Sequence, residues 1–537
     1  NTTLDLEVDG KGFNKKFLDT SVKGNIQDFR YNGYTYQNIT IDGKLKMPYF
    51  KGYFNSNDPN LRMDFDGLVD LSSKVKNYDF EANIDYADLH LLNFMKRDSI
   101  AIFKGNLKFR AKGNTVDDID GKLQVANASF QNNKDSYYFE DFEVTSTFDA
   151  ARVRTVTINS PDIIQGKVVG KYQVKQVVDI VENALGSLYA NYSPNKLKPG
   201  QFLDFDFTIY NKIIEIFNPN VSVAENTVLK GKINADEGDF KMNFTSPKVV
   251  AYNNTFDRIN VQIDNKNPLY NAFIELDSVK NKNYKISDFS LINVTMNDTL
   301  FVRSEFKGGD KNQDFYNLNL YHTIDEQNRS VVGLKRSEVN FKNYLWFLNE
   351  NDTKDNKLVF NKKLTDFEIE KLALTHNGQK MELSGLLKGK NYKDVQLTFD
   401  NVDLAKVTPS LNNMVFAGNL NGEVNLKQNG EVYQPTSAIT IDSLEINKYK
   451  LGNMDLKVTG DNSFRKFNVY STIENENAES FYLKGNIEVV NKQSLLSLET
   501  GFSKFNIGAF GPLLGSVFKN VRGFATGQAS ILGTVSD

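Results

Sequence analysis

His90, His322 and His376 are the only imidazoles in the chain, and a search for chemistry starts with them. A zinc site needs three or four converging donors, often a His-Glu-x-x-His pair on one helix face. These histidines lie far apart, none belongs to such a pair, and no cysteine is present to complete a set. His90, between Leu89 and Leu91, reads as a polar residue at a strand end. Asp117, Asp118 and Asp120 precede Gly121 like the start of a calcium loop, but the bidentate glutamate is missing, so the segment reads as a hairpin turn. Gly166-Lys167-Val168-Val169-Gly170-Lys171 resembles a phosphate loop without its hydroxyl residue and reads as a strand. No nucleophile elbow and no dinucleotide fingerprint occurs. Carboxylate pairs are too common along the chain to point to glycoside hydrolysis. No catalytic residue, cofactor or metal ligand is expected, and the chain reads as a non-enzyme.

Composition narrows the remaining classes. The 64 basic and 67 acidic residues are spread evenly over 537 residues and leave a net charge of -3. Nucleic-acid binding requires a basic face that displaces counterions, and no Lys/Arg block supplies one. The same balance argues against general electrostatic attachment to anionic lipid. The absence of cysteine excludes a disulfide scaffold and suits an oxidising compartment. No apolar run approaches the roughly 20 residues that span a bilayer. Both ends fall in mid-pattern, so they are expected to be cuts, with a targeting signal or anchor lying outside.

The elements that carry these residues show a period of two. Tyr78, Phe80, Ala82 and Ile84 alternate with Asp79, Glu81, Asn83 and Asp85. Leu107, Phe109 and Ala111 alternate with Lys108, Arg110 and Lys112. Ile259, Val261 and Ile263 repeat the pattern, as do Val395, Leu397 and Phe399. Leu420, Val424 and Leu426 share a parity with Gly422. Met454, Leu456 and Val458 follow, then Phe481, Leu483, Gly485, Ile487 and Val489. Successive strand side chains point to opposite faces, so each stretch has one dry and one wet face. Forty Phe, 24 Tyr and only 11 Pro suit pleated, half-buried surfaces. Turns are expected at Asn32-Gly33, Asp42-Gly43, Lys307-Gly308-Gly309-Asp310, Asn377-Gly378 and Asn429-Gly430. At about 12 to 15 residues per strand and turn, roughly 36 to 45 strands are expected. So many strands in one sheet must curl or split. The fold class is therefore all-β: a long curled β-sheet, a β-taco or groove, with a hydrophobic interior and a few short amphipathic helices.

Val174, Val177, Val178, Val181, Leu185 and Leu188 sit at helical spacing and predict an amphipathic helix of about five turns. It reads as an apolar face packed on the sheet or as a gate over a groove. Phe510, Leu513, Leu514, Val517 and Phe518 suggest a shorter helix. The expected organisation is a β-groove segment over 1–172, a helix insertion over 173–193, a second β-groove segment over 194–504, and a short helix with strands over 505–537.

A loose repeat runs through this pattern. Each copy has an alternating strand, an Asp/Asn-led apolar hook and a glycine-containing strand. The hooks are Asp88-Leu89-His90-Leu91-Leu92, Asn211-Lys212-Ile213-Ile214, Asp403-Leu404-Ala405-Lys406-Val407 and Asn506-Ile507-Gly508-Ala509-Phe510. The glycine strands that follow include Phe103-Lys104-Gly105-Asn106-Leu107 and Phe416-Ala417-Gly418-Asn419-Leu420.

This recurring hook and glycine strand resembles the TamB/AsmA-like family. The closing stretch from Phe505 to Leu514, followed by Gly523-Phe524-Ala525-Thr526-Gly527-Gln528-Ala529, resembles the region just upstream of that family's conserved C-terminal domain. The resemblance implies a periplasmic protein of a Gram-negative bacterium, anchored in the inner membrane through an N-terminal segment not seen here and reaching the outer membrane. It implies phospholipid as cargo, moved along a hydrophobic groove, and an outer-membrane β-barrel of the Omp85/TamA type as partner. The lipid-lining residues would be the dry-parity ones quoted above. The alternative is a scaffold for outer-membrane β-barrel assembly by strand addition. An adhesin of β-repeats would show stricter repeats, and a string of closed sandwiches would show clear linkers.

Overall fold

Alternating sequence produces strands almost everywhere. The computed structural model describes all residues except 1, 12–18, 47, 161, 190, 211–212, 283, 310, 409–413, 491–492, 512–520 and 537. Within these, the chain forms two units: residues 1–187 with 194–283, and residues 188–193 with 284–537. Each contributes seventeen of the 34 strands among the described residues. The count falls below the sequence expectation because strands run as long as the fifteen residues of Val432–Ile446 and because the hooks take up chain between them.

Every recorded strand pairing is antiparallel, mostly between sequence neighbours, as short connections dictate. Asn32 and Gly33, at φ 50° and 80°, make the expected hairpin turn, and Asn377 and Gly378 repeat it at 48° and 76°. In the second unit the ladder forks. The long strand Asp314–Ile324 pairs along one half with Ser330–Leu334 and along the other with Ser337–Phe341. Lys357–Phe360 and Tyr344–Leu348 then rejoin at Asp366–His376.

The sheet of the second unit curls locally. Strands Tyr449–Gly460 and Gln493–Asn506 are separated by two others, yet their Cα atoms approach within 8 Å. In a flat sheet the third neighbour would lie about 14 Å away.

Helix is scarce. A 3-10 turn, Val174–Gln176, leads into α1, Val177–Gly186. This is shorter than the five turns expected. The helix ends where Gly186, the poorest helix former after proline, meets Ser187. The other helices are α2, Ile213–Phe217, and α3, Leu404–Val407, with a 3-10 turn at Ile507–Phe510. The second expected helix falls mostly on Leu513 to Phe518, outside the described residues.

Candidate functional site

The dry parities of neighbouring strands meet in register. In the first unit Met63 lies opposite Ile84, Phe65 opposite Ala82, and Val69 opposite Tyr78. Phe80 then faces Phe109, and Ala82 faces Leu107. The row continues through Leu123 and Val144, Ile158 and Gly166, and Val168 and Phe205 to Met242, Ile263 and Ala272. Val261 stands opposite Phe244 and Ile274, and Ile259 opposite Ser246 and Leu276. Phe50, Phe65, Phe80 and Phe109 form an aromatic row across four strands, with centroids 6.0, 5.0 and 5.7 Å apart.

The second unit holds an equivalent face. Val395 pairs with Leu426, Leu397 with Val424, and Phe399 with Met381 and Gly422. Leu420 meets Ile441, Met454 meets Ile441 and Ile473, Leu456 meets Ile439, and Val458 meets Val469. Leu483 lies opposite Ser471 and Thr500, and Ile487 opposite Phe467 and Leu496. The sequence-predicted dry residues of each unit therefore share one face of that unit's sheet.

That face is not sealed. Of the twenty residues proposed from sequence as its lining, only Ala82, Ile259 and Leu420 are buried, and Val424 is 40% exposed. The opposite face is ionic: Arg110 pairs with Asp79 at 3.0 Å, Lys122 with Glu143 at 2.8 Å, and Lys241 with Asp264 at 2.8 Å. A hollow of about 640 Å³ is lined by the wet-parity residues Asp206, Lys230, Lys232 and Lys241 together with Phe205, Met242 and Ile263.

The hooks are built alike. Asp88 Oδ1 accepts from the N–H groups of His90 and Leu91, Asp403 Oδ1 from Ala405, and Asn506 Oδ1 from Gly508. The acid or amide caps the turn, the usual role of these residue types. Asn211 and Lys212 lie outside the described residues. Each hook then bends over the sheet edge to a hairpin turn beside the third strand back. Asn32 donates to the carbonyl of Asn93 at 3.0 Å, and Asn447 to that of Ala509 at 2.9 Å. Lys134 reaches the carbonyl of Pro219, and Lys342 that of Thr408. Buried side chains gather at them: Leu92 at the first hook, and Val402, Leu404, Phe505 and Ala509 at the third and fourth, in one cluster with Trp346. At the first hook, buried Asp58 accepts from Tyr34 Oη at 2.7 Å and from Gln37 N. Burial and this carboxylate push the Tyr34 phenol up to about 12.

Helix α1 lies on the apolar face at the edge opposite the hooks. Ile180 and Ala184 are buried against Leu203, Ile233 and Phe240, with Val181, Val168, Phe205, Met242 and Ile263 around them. Asn265 Nδ2 donates to the carbonyl of Ala184 at 2.7 Å. The stripe read from sequence is therefore only partly the packing face. Val181 packs, Val177 and Leu188 are half-buried, and Val174, Val178 and Leu185 are exposed at 44, 67 and 37%. Ile180 and Ala184 were missed because valines at nearly every turn masked the true face.

The histidines are dispersed, and no group of three His, Asp or Glu that suits a metal is found among the described residues. His90 Nδ1 lies 3.2 Å from the Met95 carbonyl within its hook. The His376 ring meets Tyr344 edge-on and Phe347 at a tilt. His322 Nδ1 is 2.6 Å from Tyr189 Oη, and burial holds its imidazole below the usual range. The strand Ile164–Lys171 and the Asp118 turn, whose carboxylate accepts from Asn114 and Thr115, match the bland readings of those two motifs.

The fold defines an antiparallel all-β protein whose units each carry an apolar row in register across successive strands. Neither a known family model nor a characterised protein matches the chain.

Proposed function

We propose that the chain is a lipid-transfer conduit that moves phospholipid between inner and outer membranes along a hydrophobic groove, from a periplasmic position anchored in the inner membrane. One observation carries this reading: the apolar face runs in register across strand after strand of each unit yet stays half-exposed. A soluble protein rarely leaves so long an apolar surface open unless it receives something. Acyl chains are suitable occupants. Burial is worth about 0.8 kcal/mol per methylene, so two sixteen-carbon chains face roughly 25 kcal/mol on entering water. A continuous greasy face offsets most of that cost at every step, and a uniform wall suits sliding better than a deep pocket.

The resemblance of the hooks and closing stretch to the TamB/AsmA-like family supports the same reading and adds an outer-membrane β-barrel of the Omp85/TamA type as partner. The test is native mass spectrometry with lipid extraction on the chain purified gently from a bacterial host. Several phospholipids per chain, lost in Val424→Glu, are expected. A well-folded chain without lipid would overturn the conduit and turn attention to barrel-assembly scaffolding.

A further inference from the structure

The dry parity carries charge where none is expected. In strand Arg154–Ser160 the inward residues are Arg154, Val156 and Ile158. Val156 lies opposite Val168, and Ile158 opposite Val144. Arg154 shares their face and is only 8% exposed. Its Nε donates to Ser146 Oγ at 2.8 Å, a neutral partner, and among the described residues it forms no ion pair with a carboxylate. Its guanidinium carbon lies 5.7 Å from the centroid of Phe148, and that of Arg152, an exposed residue, lies 4.6 Å from the same ring. Asp149 Oδ1 accepts from Val153 N and Asp117 Oδ1 from Val174 N, each at 2.8 Å, and among the described residues neither forms an ion pair with Arg154. Tyr172 is a further titratable neighbour.

The second unit carries a related but only half-buried cation on its dry parity. Lys393 shares a face with Val395, which lies opposite Leu426. Its Nζ donates to buried Gln428 and sits 5.6 Å from the Tyr433 ring, with no ion pair among the described residues. Both cations stand at the end of an apolar row, at the edge opposite the hooks.

A buried cation with only neutral partners is costly, and the cost is relieved by an anion that arrives with the ligand. Guanidinium groups suit phosphate oxygens because their N–H donors form a planar fork. We propose that Arg154, with Arg152 beside it and Lys393 as its counterpart in the second unit, seats the phosphate of an anionic phospholipid whose acyl chains lie on the adjoining apolar face. The site rests on the conduit reading. It is a local preference for headgroup charge, distinct from the general electrostatic attachment that the balanced composition argues against.

The test incubates delipidated full chain with vesicles of equimolar phosphatidylglycerol and phosphatidylcholine, re-isolates it, and quantifies the lipid taken up. Wild type should favour phosphatidylglycerol on the order of tenfold, because phosphatidylcholine presents the same phosphate but carries its own ammonium, which repels the guanidinium and offsets the phosphate charge. Arg154→Gln combined with Lys393→Gln should abolish the preference while total uptake persists, and Arg154→Lys should keep part of it. If Arg154→Gln fails to fold, the exposed Arg152→Gln should still lower the preference. An unchanged preference in folded variants, or equal uptake of both lipids by wild type, overturns the headgroup site alone. No uptake by wild type overturns the conduit instead. Saturable binding of inorganic phosphate to the lipid-free chain that is lost in Arg154→Gln, with lipid uptake showing no headgroup preference, would assign the site to a free phosphate instead.

Discussion

Asn447, in the turn before strand Tyr449–Gly460, donates its side-chain amide to the carbonyl of Ala509 at 2.9 Å, and its Oδ1 accepts from Val415 N at 2.9 Å. One residue thus ties the fourth hook to a hairpin beside the third strand back. Asn447 also holds φ at 53°, which asparagine tolerates better than most residues. Asn447→Ala should destabilise the chain by about 1–3 kcal/mol, read from urea unfolding. Hydrogen exchange at Ile507–Phe510 should speed up. Unchanged protection there would show that the hook is held by packing alone.

Substitutions at Phe505 and Val424 should differ sharply in cost. Phe505 is 1% exposed at the fourth hook, whereas Val424 is 40% exposed on the apolar face. Phe505→Ala should cost about 3–5 kcal/mol. Val424→Glu should cost less than about 1 kcal/mol, since its side chain already meets solvent. Comparable losses at both sites in thermal melts would mean that the face is a closed core.

Gly67 lies opposite Phe80 at φ 145°. A Cβ there would stand 2.5 Å from Phe80 Cα. Gly67→Val should therefore destabilise the chain by about 2 kcal/mol or more, through both strain and displacement of the Phe65–Phe80 contact, and be read as a lower melting temperature. A neutral effect would show that the two strands separate at little cost.

The pair His322 and Tyr189 implies acid sensitivity. Burial lowers the folded-state value of His322 from 6.5, so the unfolded chain takes up the proton more readily. The contribution of neutral His322 is complete above pH 6.5 and is lost as pH falls below it. Proteolysis within 188–193, which carries Tyr189, should rise on acidification, and His322→Gln should flatten that dependence. A wild-type profile that matches His322→Gln would refute it.

At the alkaline end Tyr34 has the opposite slope. Its phenol is raised from 10 to about 12, so its contribution is full below pH 10 and is lost as pH rises through about 12. Tyr34→Phe should remove that part of the alkaline decline in melting temperature.

Most strands were legible because period two survives any tertiary arrangement: Tyr78 to Ile84 and Val395 to Phe399 can alternate only as strands with one dry face. The hooks were legible as sequence units too, since Asp88, Asp403 and Asn506 cap turns through their own neighbours. Their destinations were not, because nothing in Ala509 names Asn447, sixty-two residues away. The packing face of α1 was obscured by excess valine, and Trp346, buried at 1%, gave no periodic signal in its five-residue strand. Arg154 and Lys393 were passed over because a single cation within an alternating strand looks like ordinary surface.

Sequence alone determined the all-β class, the parity of the dry face and the positions of the four hooks, because each depends on residues close together in the chain. Tertiary structure decided which strands fork at Asp314–Ile324, which hairpin each hook grips, how α1 turns on the sheet, and that two cations end up on the apolar side. Those outcomes depend on register between distant strands, where shifting a pairing by one residue exchanges the faces, and on packing that no local pattern encodes.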